Sequence, residues 1–283
     1  ANGYKPYDLL FMGDNGSNGA SCEALLPLMQ DGAITQGWGG SLFFVAALWD
    51  PTMKTVVDKD PATTGNSWSG MRVRPQFVEK FFTNPNVVVG KKTSELRAMN
   101  IDDRALLWGI GTDEGKRTLS VVDNDKFIKG IATTKWNNNY SNNGTPHDNF
   151  CVDTDFFLFR VAEAYLNAAE AEMHLNGESS AKAKKYIDAL RNRAHAAVRA
   201  SYTLNDVLDE RARELYCEGL RRTDLIRFNQ FGGSQATYNW ELKGGSTNGT
   251  TFTKTYNVYP LPSSEVLSNK NLTQIDGYNE VQN

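Results

Sequence analysis

The sequence is poor in cysteine, contains no long apolar run and has no excess of either charge, and each shortage excludes a class of protein. Its three cysteines are widely spaced among 283 residues and match no metal-ligand pattern. The longest apolar run, Ser41–Trp49, is too short to cross a bilayer and predicts a buried helix or strand. With 30 basic and 33 acidic residues, the chain lacks the concentrated positive charge that nucleic-acid binding requires.

Residues that perform catalysis are equally scarce. The three histidines, His147, His174 and His195, do not pair at metal-ligand spacing, and no serine or cysteine lies in a nucleophile-elbow context. Asp123–Asp125 and Asp153–Asp155 do not complete a calcium loop with its central glycine, and they are better explained as turn or helix-capping residues. We therefore expect no enzyme activity, no cofactor and no metal.

The composition and periodicity of the sequence change along the chain. Residues 1–152 alternate short apolar stretches with loops rich in glycine and asparagine, and we assign them to a loop-rich region that binds ligand. Residues 153–231 have helical periodicity, and residues 232–283 form an extended C-terminal segment. We expect all three regions to belong to one domain.

The helical region has the clearest boundaries. A helix is predicted over Phe156–Leu175, where Gly177 ends it, and a second helix is predicted after a cap at Ser179–Ser180. Thr203 precedes a third helix, and Asp206 stands where a capping box has glutamate. The first helix is apolar nearly all round, and its alanines would let a neighbouring helix approach closely.

This helix–glycine–helix unit resembles one tetratricopeptide repeat, which cannot bury its own faces alone. The sequence therefore predicts a further helical layer, either upstream or on a partner. In the third helix Glu210, Glu214 and Glu218 recur every four residues beside arginines, a spacing that favours ion pairs on one helix face over a catalytic pair of carboxylates.

Motifs in a fixed order carry a resemblance to a known family. The most specific is Asp153–Glu172, similar to D-x-x-x-x-R-x-A-E-x-Y-L-x-x-A-E-A, and Asp209–Arg227 is similar to E-R-x-x-E-L-x-x-E-G-x-R-x-x-D-L-x-R. The chain is on these grounds identified as a member of the SusD/RagB family, from about Trp68 onward. Similar segments are also Ala189–Arg193 and Tyr259–Tyr278, which depart from the family pattern at Ala189, Lys270 and Asp276. Looser matches lie upstream, in Ser67–Phe82 and Glu95–Arg104.

The resemblance implies a fold and a function. The fold would be mainly α, with tetratricopeptide-like helix pairs, long irregular segments and few short strands, and the chain would be the C-terminal portion of one such domain. The function would be non-catalytic capture of oligosaccharides at the outer surface of the bacterial outer membrane, for import by a SusC-like TonB-dependent transporter. A lipid anchor would lie in an N-terminal part outside this sequence. Peptide or other nutrient capture by a RagB-like member, a glycoside hydrolase and a tetratricopeptide scaffold are the alternatives.

Aromatic side chains in polar loops are the candidate ligand contacts. Sugars present an apolar C–H face to flat rings and a rim of hydroxyls to amide, carboxylate and guanidinium groups. A tryptophan beside glycine can also be a packed loop anchor, and Trp49 and Trp108, which follow apolar runs, are expected in the core. We predict that eight loop residues contact the ligand: Asp31, Gln36, Trp38, Asn66, Trp68, Arg72, Trp136 and Tyr140.

Overall fold

The computed structural model describes residues 2–62, 67–111, 115–123, 126 and 129–278. The chain divides into two compact units, Ala1–Gly219 and Leu220–Asn283. Over the described residues the fold is mainly helical with few short strands, as predicted. None of the helices in these ranges has the length and apolar character needed to span a membrane.

The helices are short except for three in succession near the end of the first unit. In chain order they are α1 (Pro6–Leu9), α2 (Ser41–Leu48), α3 (Pro75–Val78), α4 (Thr93–Arg97), α5 (Val161–Asn176), α6 (Ala181–Arg193), α7 (Leu204–Leu215), α8 (Arg221–Arg227) and α9 (Ser263–Ser268). The strands are β1 (Ala24–Leu28), β2 (Leu107–Trp108), β3 (Ala132–Thr133) and β4 (Phe156–Arg160).

The strands form two antiparallel pairs, β1 with β4 and β2 with β3. In the first pair Leu26 lies opposite Phe159, and the register shifts on both sides of Leu26. The prediction that a helix starts at Phe156 was wrong, because Phe156–Arg160 are extended and pair with β1. Helix α5 begins only at Val161, after an extended N-cap at Arg160.

The caps of the next two helices match their sequence signals. The Ser180 hydroxyl accepts a hydrogen bond from the Ala183 amide at 3.3 Å, and Thr203 and Asp206 form a capping box at the start of α7. The apolar run after Gly40 is a helix, α2. Helix α3 starts at Pro75, whose ring suits the first turn of a helix, and ends at Val78.

Aromatic rings dominate the main core of the first unit. Trp49 and Trp108 are buried in it, as the sequence predicted. Trp136 is buried in the same core, stacked on Phe156 with ring centroids 5.4 Å apart and edge-on to Phe11 at 4.9 Å. Phe44 of α2 also stacks on Trp136 and Phe156, so ring contacts connect α2 to β4, which leads into α5.

The glutamates of α7 lie in a buried ionic network, which confirms the predicted ion pairs. Glu214 is fully buried, and its carboxylate binds the guanidinium groups of Arg160 at 2.6 Å, Arg104 at 3.2 Å and Arg193. Although burial would raise the pKa of Glu214, the three guanidinium groups hold that pKa well below its usual range. The charged form is therefore the stable one inside the protein.

Two further glutamates, Glu210 and Glu218, belong to the same ionic network. Glu210 binds Arg104 at 2.8 Å and Arg191 at 2.7 Å. Burial opposes its ionisation, but the arginines lower the pKa of Glu210 to about 2. Glu218, which lies beyond the end of α7, binds Arg160 at 2.7 Å and Lys135 at 2.5 Å.

Removing one arginine from this network should destabilise the protein strongly. In Arg160→Met the carboxylates of Glu214 and Glu218 each lose a guanidinium partner while they remain buried, which costs about 3–5 kcal/mol of unfolding free energy. Urea unfolding measures the loss. The control is Arg199→Met, since Arg199 pairs with Asp206 at the surface and such a pair contributes at most about 1 kcal/mol. Equal midpoints for the two variants would contradict the structural role of Arg160.

The same network predicts acid lability. The pKa of Glu210 is about 2 in the folded protein, against an ordinary value of 4.5, so the unfolded chain binds more protons between these values. The contribution of the ionised Glu210 to the free energy of unfolding should be fully present above pH 4.5 and should be lost as the pH drops towards 2. Urea titrations at successive pH values measure this trend. A midpoint that stays constant or rises on acidification would show that Glu210, Glu214 and Glu218 are not stabilised as anions.

Candidate functional site

Two of the predicted tryptophans lie together at the surface of the first unit. Trp38 is 59% exposed and Trp68 is 40% exposed. Their ring centroids are 6.1 Å apart and their planes differ by 26°, so they form a loosely stacked pair. They are 30 positions apart in the sequence, and the fold brings them together.

Two phenylalanines that the sequence analysis missed extend this pair. Phe150 meets Trp38 edge-on with centroids 5.1 Å apart, and Phe43 of α2 lies 6.3 Å from Trp68. Phe150 is 39% exposed and Phe43 is 49% exposed. We call Phe43, Trp38, Trp68 and Phe150 the aromatic patch.

The patch rests on fixed backbone. The Trp68 amide donates to the Ala46 carbonyl at 3.1 Å, and the Met71 amide donates to Ala47 at 3.0 Å, so the segment after residue 67 is attached to α2. At the other end, one carboxylate oxygen of Asp148 accepts from the Phe150 amide at 2.6 Å. Exposed rings on backbone held in this way lose little conformational entropy when a ligand binds.

The loop that carries Trp38 is held by aspartates near the start of β4. The Asp153 carboxylate accepts from the Gly32 amide at 2.7 Å, the His147 amide at 2.9 Å and the Tyr140 hydroxyl at 3.1 Å. Asp155 accepts from the Gln30 amide at 2.7 Å. The prediction that these aspartates cap a helix was wrong, since they bind loop amides instead.

The polar residues predicted beside Trp38 lie at the surface or half-buried. Gln36 is exposed, and its amide nitrogen donates a long hydrogen bond of 3.4 Å to the Ala33 carbonyl. Asp31 is partly buried and accepts from the Ala33 amide at 2.9 Å. Both side chains retain polar atoms that a sugar hydroxyl can bind.

Ligand atoms of Asp31, His147 and Asp153 lie within 4.8 Å of one another. His147 is 3.1 Å from Asp153 and 3.4 Å from Asp31. Asp153 already accepts hydrogen bonds from the amides of Gly32 and His147. We call these contacts the clamp, because they connect the loop of Trp38 to the loop of His147. The expectation that no metal binds remains a prediction.

Tyr140 and Arg72 hold loops in place. Tyr140 is partly buried, and burial together with the neighbouring Asp153 raises the pKa of its hydroxyl to about 12, so it stays a hydrogen-bond donor. Arg72 donates to the carbonyls of Lys126 and Lys129, both at 2.8 Å. Both remain predicted ligand contacts, and Asn66 lies outside the described residues.

Trp136 does not share this surface. Only 1% of the residue is exposed, and its indole N–H donates to the Cys217 carbonyl at 3.2 Å. With rings packed against it in the core, neither face can receive a sugar. Its burial removes Trp136 from the proposed ligand contacts.

The family model described as the SusD family matches residues 47–278. This chain belongs to the SusD family. Among curated relatives, the starch-binding protein SusD of Bacteroides thetaiotaomicron is 35% identical over 301 residues, an alignment covering 96% of this chain and 52% of that protein. The chain therefore spans about half the length of this SusD relative.

Two solved structures have the same fold as this chain. A SusD superfamily protein from Parabacteroides distasonis has a TM-score of 0.61 at 17% identity, over 98% of this chain and 54% of that one. Surface glycan-binding protein A from Bacteroides thetaiotaomicron, solved in complex with laminarihexaose, has a TM-score of 0.52 at 19% identity, over 89% of this chain and 51% of that one. At these identities the likeness establishes the fold alone.

Loss of the Asp153 carboxylate should release the Trp38 loop. In Asp153→Ala the Gly32 amide loses a charge-assisted hydrogen bond, and its hydrogen exchange should accelerate about tenfold or more. Exchange mass spectrometry over residues 30–36 measures the change. Asp60→Ala, at an exposed aspartate, is the control. Unchanged exchange at Gly32 in a folded Asp153→Ala protein would show that the clamp does not hold this loop.

Proposed function

We propose that this chain captures oligosaccharides without cleaving them, through the aromatic patch. The observation that carries the proposal is the mutual contact of four partly exposed rings on backbone tied to α2 and to Asp148. Contiguous exposed apolar surface on a soluble domain marks a binding site more often than isolated exposed residues do.

The chemistry of the patch suits a sugar polymer. The ring faces of Trp38 and Trp68 offer an apolar surface for sugar C–H groups, and the polar atoms of Gln36 and Asp31 on the Trp38 loop suit hydroxyls. The rings are partly exposed at the surface, so a chain longer than the patch can bind by its middle. This arrangement favours an oligosaccharide over a small metabolite, which is normally enclosed.

The carboxylates of Asp153 and of the ionic network support binding over hydrolysis. Glycoside hydrolysis needs two carboxyl groups that both reach the substrate. The Asp153 side chain is 5% exposed and is engaged by loop amides, and Glu210 and Glu214 are buried among arginines. Their environments support structural roles.

The relatives give the proposal its setting. One is named a starch-binding protein, and one structure contains laminarihexaose. By analogy within the family, we place this chain at the outer surface of the bacterial outer membrane, held there by a lipid-anchored part. It would pass glycans to a SusC-like TonB-dependent transporter. Starch-type and laminarin-type glucans are the first ligands to test.

Replacing Trp38 should weaken glycan binding without unfolding the chain. Trp38→Ala removes a stacking surface, and we expect about tenfold weaker binding of maltoheptaose or laminarihexaose, whichever glucan the unmodified chain binds. Affinity electrophoresis and titration calorimetry measure the change. Tyr259→Ala is the matched control, because Tyr259 is 71% exposed and lies in the second unit.

Each alternative function has its own outcome in the same assays. Equal retention of Trp38→Ala and the unmodified chain would remove Trp38 from the site. New reducing ends after incubation with either oligosaccharide would identify a hydrolase. Retention of peptides with no retention of glycans would favour the RagB-like alternative, and retention of neither would favour a protein scaffold.

A further inference from the structure

Helix α2 begins directly beside the aromatic patch. Trp38 precedes the N-cap of this helix, Gly40, by two residues, so their Cα atoms are no more than about 8 Å apart. Phe43, the third residue of the helix, belongs to the patch as well. A ligand that lies on these rings is therefore within reach of the first turn of α2.

No side chain caps the first turn of α2. The first amides of an α-helix have no intrahelical acceptors, and together they carry a partial positive charge. Gly40 has no side chain that accepts from them, and its φ of 64° is a conformation that glycine adopts without strain. A glycine-rich loop that leads into an uncapped helix is an arrangement that binds anions.

Ser41 contributes an unpaired donor to the same turn. This first residue of α2 is completely buried, and its hydroxyl has no hydrogen-bond partner among the described residues. Buried hydroxyls in native proteins are normally paired with protein, water or a ligand. Because the Cα–Cβ bonds of a helix tilt towards its N-terminus, the Ser41 hydroxyl lies at the end of α2 that faces the glycine-rich loop.

Gln30 provides a further donor beside the N-cap. A Cβ atom added to Gly40 would lie 3.7 Å from Nε2 of Gln30, so this amide nitrogen lies against the start of the helix. The other end of the amide, Oε1, accepts from the Thr35 hydroxyl at 3.3 Å. Gln30 thus presents a hydrogen-bond donor to the turn, as Ser41 does.

The sequence around this turn carries no charge that would repel an anion. Between Asp31 and Asp50 there is no charged residue. Two carboxylates on the loops of the patch already accept from backbone amides: Asp31 from Ala33 at 2.9 Å, and Asp148 from Phe150 at 2.6 Å. The net field at the start of α2 is therefore that of the helix amides and favours a negative group.

We propose that the N-terminus of α2 binds the carboxylate of an acidic sugar in a glycan that stacks on the aromatic patch. The amides of the first turn and Nε2 of Gln30 donate to the carboxylate oxygens, and the Ser41 hydroxyl donates from the buried side. A uronic acid has its carboxylate at the rim of the sugar ring, so the C–H face stays available for Trp38. This inference rests on the proposed function and narrows its ligand to acidic oligosaccharides.

Neutral and acidic forms of one glucan test the proposal. Oxidation of the primary alcohols of maltoheptaose and laminarihexaose to carboxylates gives acidic probes on unchanged backbones. At pH 7 and low salt, the full chain should bind the oxidised form of at least one backbone about tenfold more tightly than its neutral form. Titration calorimetry measures both affinities, and the preference should shrink at high salt because ions screen the charge.

Substitutions at Gly39 isolate the effect of charge. A Cβ atom at this exposed residue meets no atom of the described chain within 4 Å, and its φ lies outside the left-handed region, so both variants should fold. In Gly39→Asp a fixed carboxylate repels the ligand, and the preference for the oxidised glucan should disappear. The matched control, Gly39→Asn, has nearly the same size without the charge and should keep the preference. Melting curves confirm that each variant is folded.

Ser41→Ala tests the buried donor separately. The affinity for the oxidised glucan should fall about threefold or more, because one donor to the carboxylate is lost. The melting temperature of the free chain should not fall, since the hydroxyl that is removed has no partner there. Ser263→Ala, at the first residue of α9 in the second unit, is the matched control and should bind as the unmodified chain does.

The remaining outcomes each count against one claim. Equal affinity for neutral and oxidised glucans would overturn this inference and leave glycan capture standing, whereas binding of neither form would overturn the proposed function itself. Loss of the preference in Gly39→Asn as well would show that side-chain bulk is responsible instead of charge. Inorganic sulfate is the last probe: if it raises the melting temperature of the chain but the two glucan forms bind alike, the turn binds free anions, and its assignment to a glycan is wrong.

Discussion

The buried carboxylates of α7 impose the constraint on which the fold of the first unit depends. A buried ionised glutamate is tolerated only when cations and hydrogen bonds surround it. Here the cations come from distant parts of the chain: Arg104 precedes β2, Arg160 ends β4 and Arg193 ends α6, and all three reach Glu214. Their fixed partners leave few alternative arrangements of these segments. The charges that look catalytic in the sequence therefore define the geometry of the scaffold.

This ionic network also positions the loop that carries Trp38. The ionic network fixes Arg160 at the end of β4, and the aspartates just before that strand accept hydrogen bonds from the amides around Gly32. The loop that carries Trp38 is thus held between a rigid strand and the loop of His147. In the first unit the charged residues of the ionic network support the fold, and the four rings of the aromatic patch lie at the surface. The proposed function depends on this division of roles.

The sequence predicted the helical region, the caps at Ser180 and Thr203 and the family because each depends on local signals. The capping box at Thr203 and the four-residue repeat of Glu210 are visible without a structure. The start of the first long helix was predicted wrongly because Phe156 lies in a β pair whose partner is more than a hundred residues away. Phe150 was missed for a similar reason, since only tertiary contact places it beside Trp38. Trp136 and Trp38 occur in equally polar loops, and burial alone separates them.

The central claim is that the exposed rings of the aromatic patch bind a glycan, on a fold that buried ion pairs hold in place. A crystal structure of this chain with a bound glucan, with maltoheptaose and laminarihexaose as the two trials, tests it most directly. The account predicts sugar rings stacked on Trp38 or Trp68, with a hydroxyl bonded near Gln36 or Asp31 and no cleaved product. An intact or cleaved glycan located only elsewhere, for instance on Tyr259 of the second unit, would contradict it.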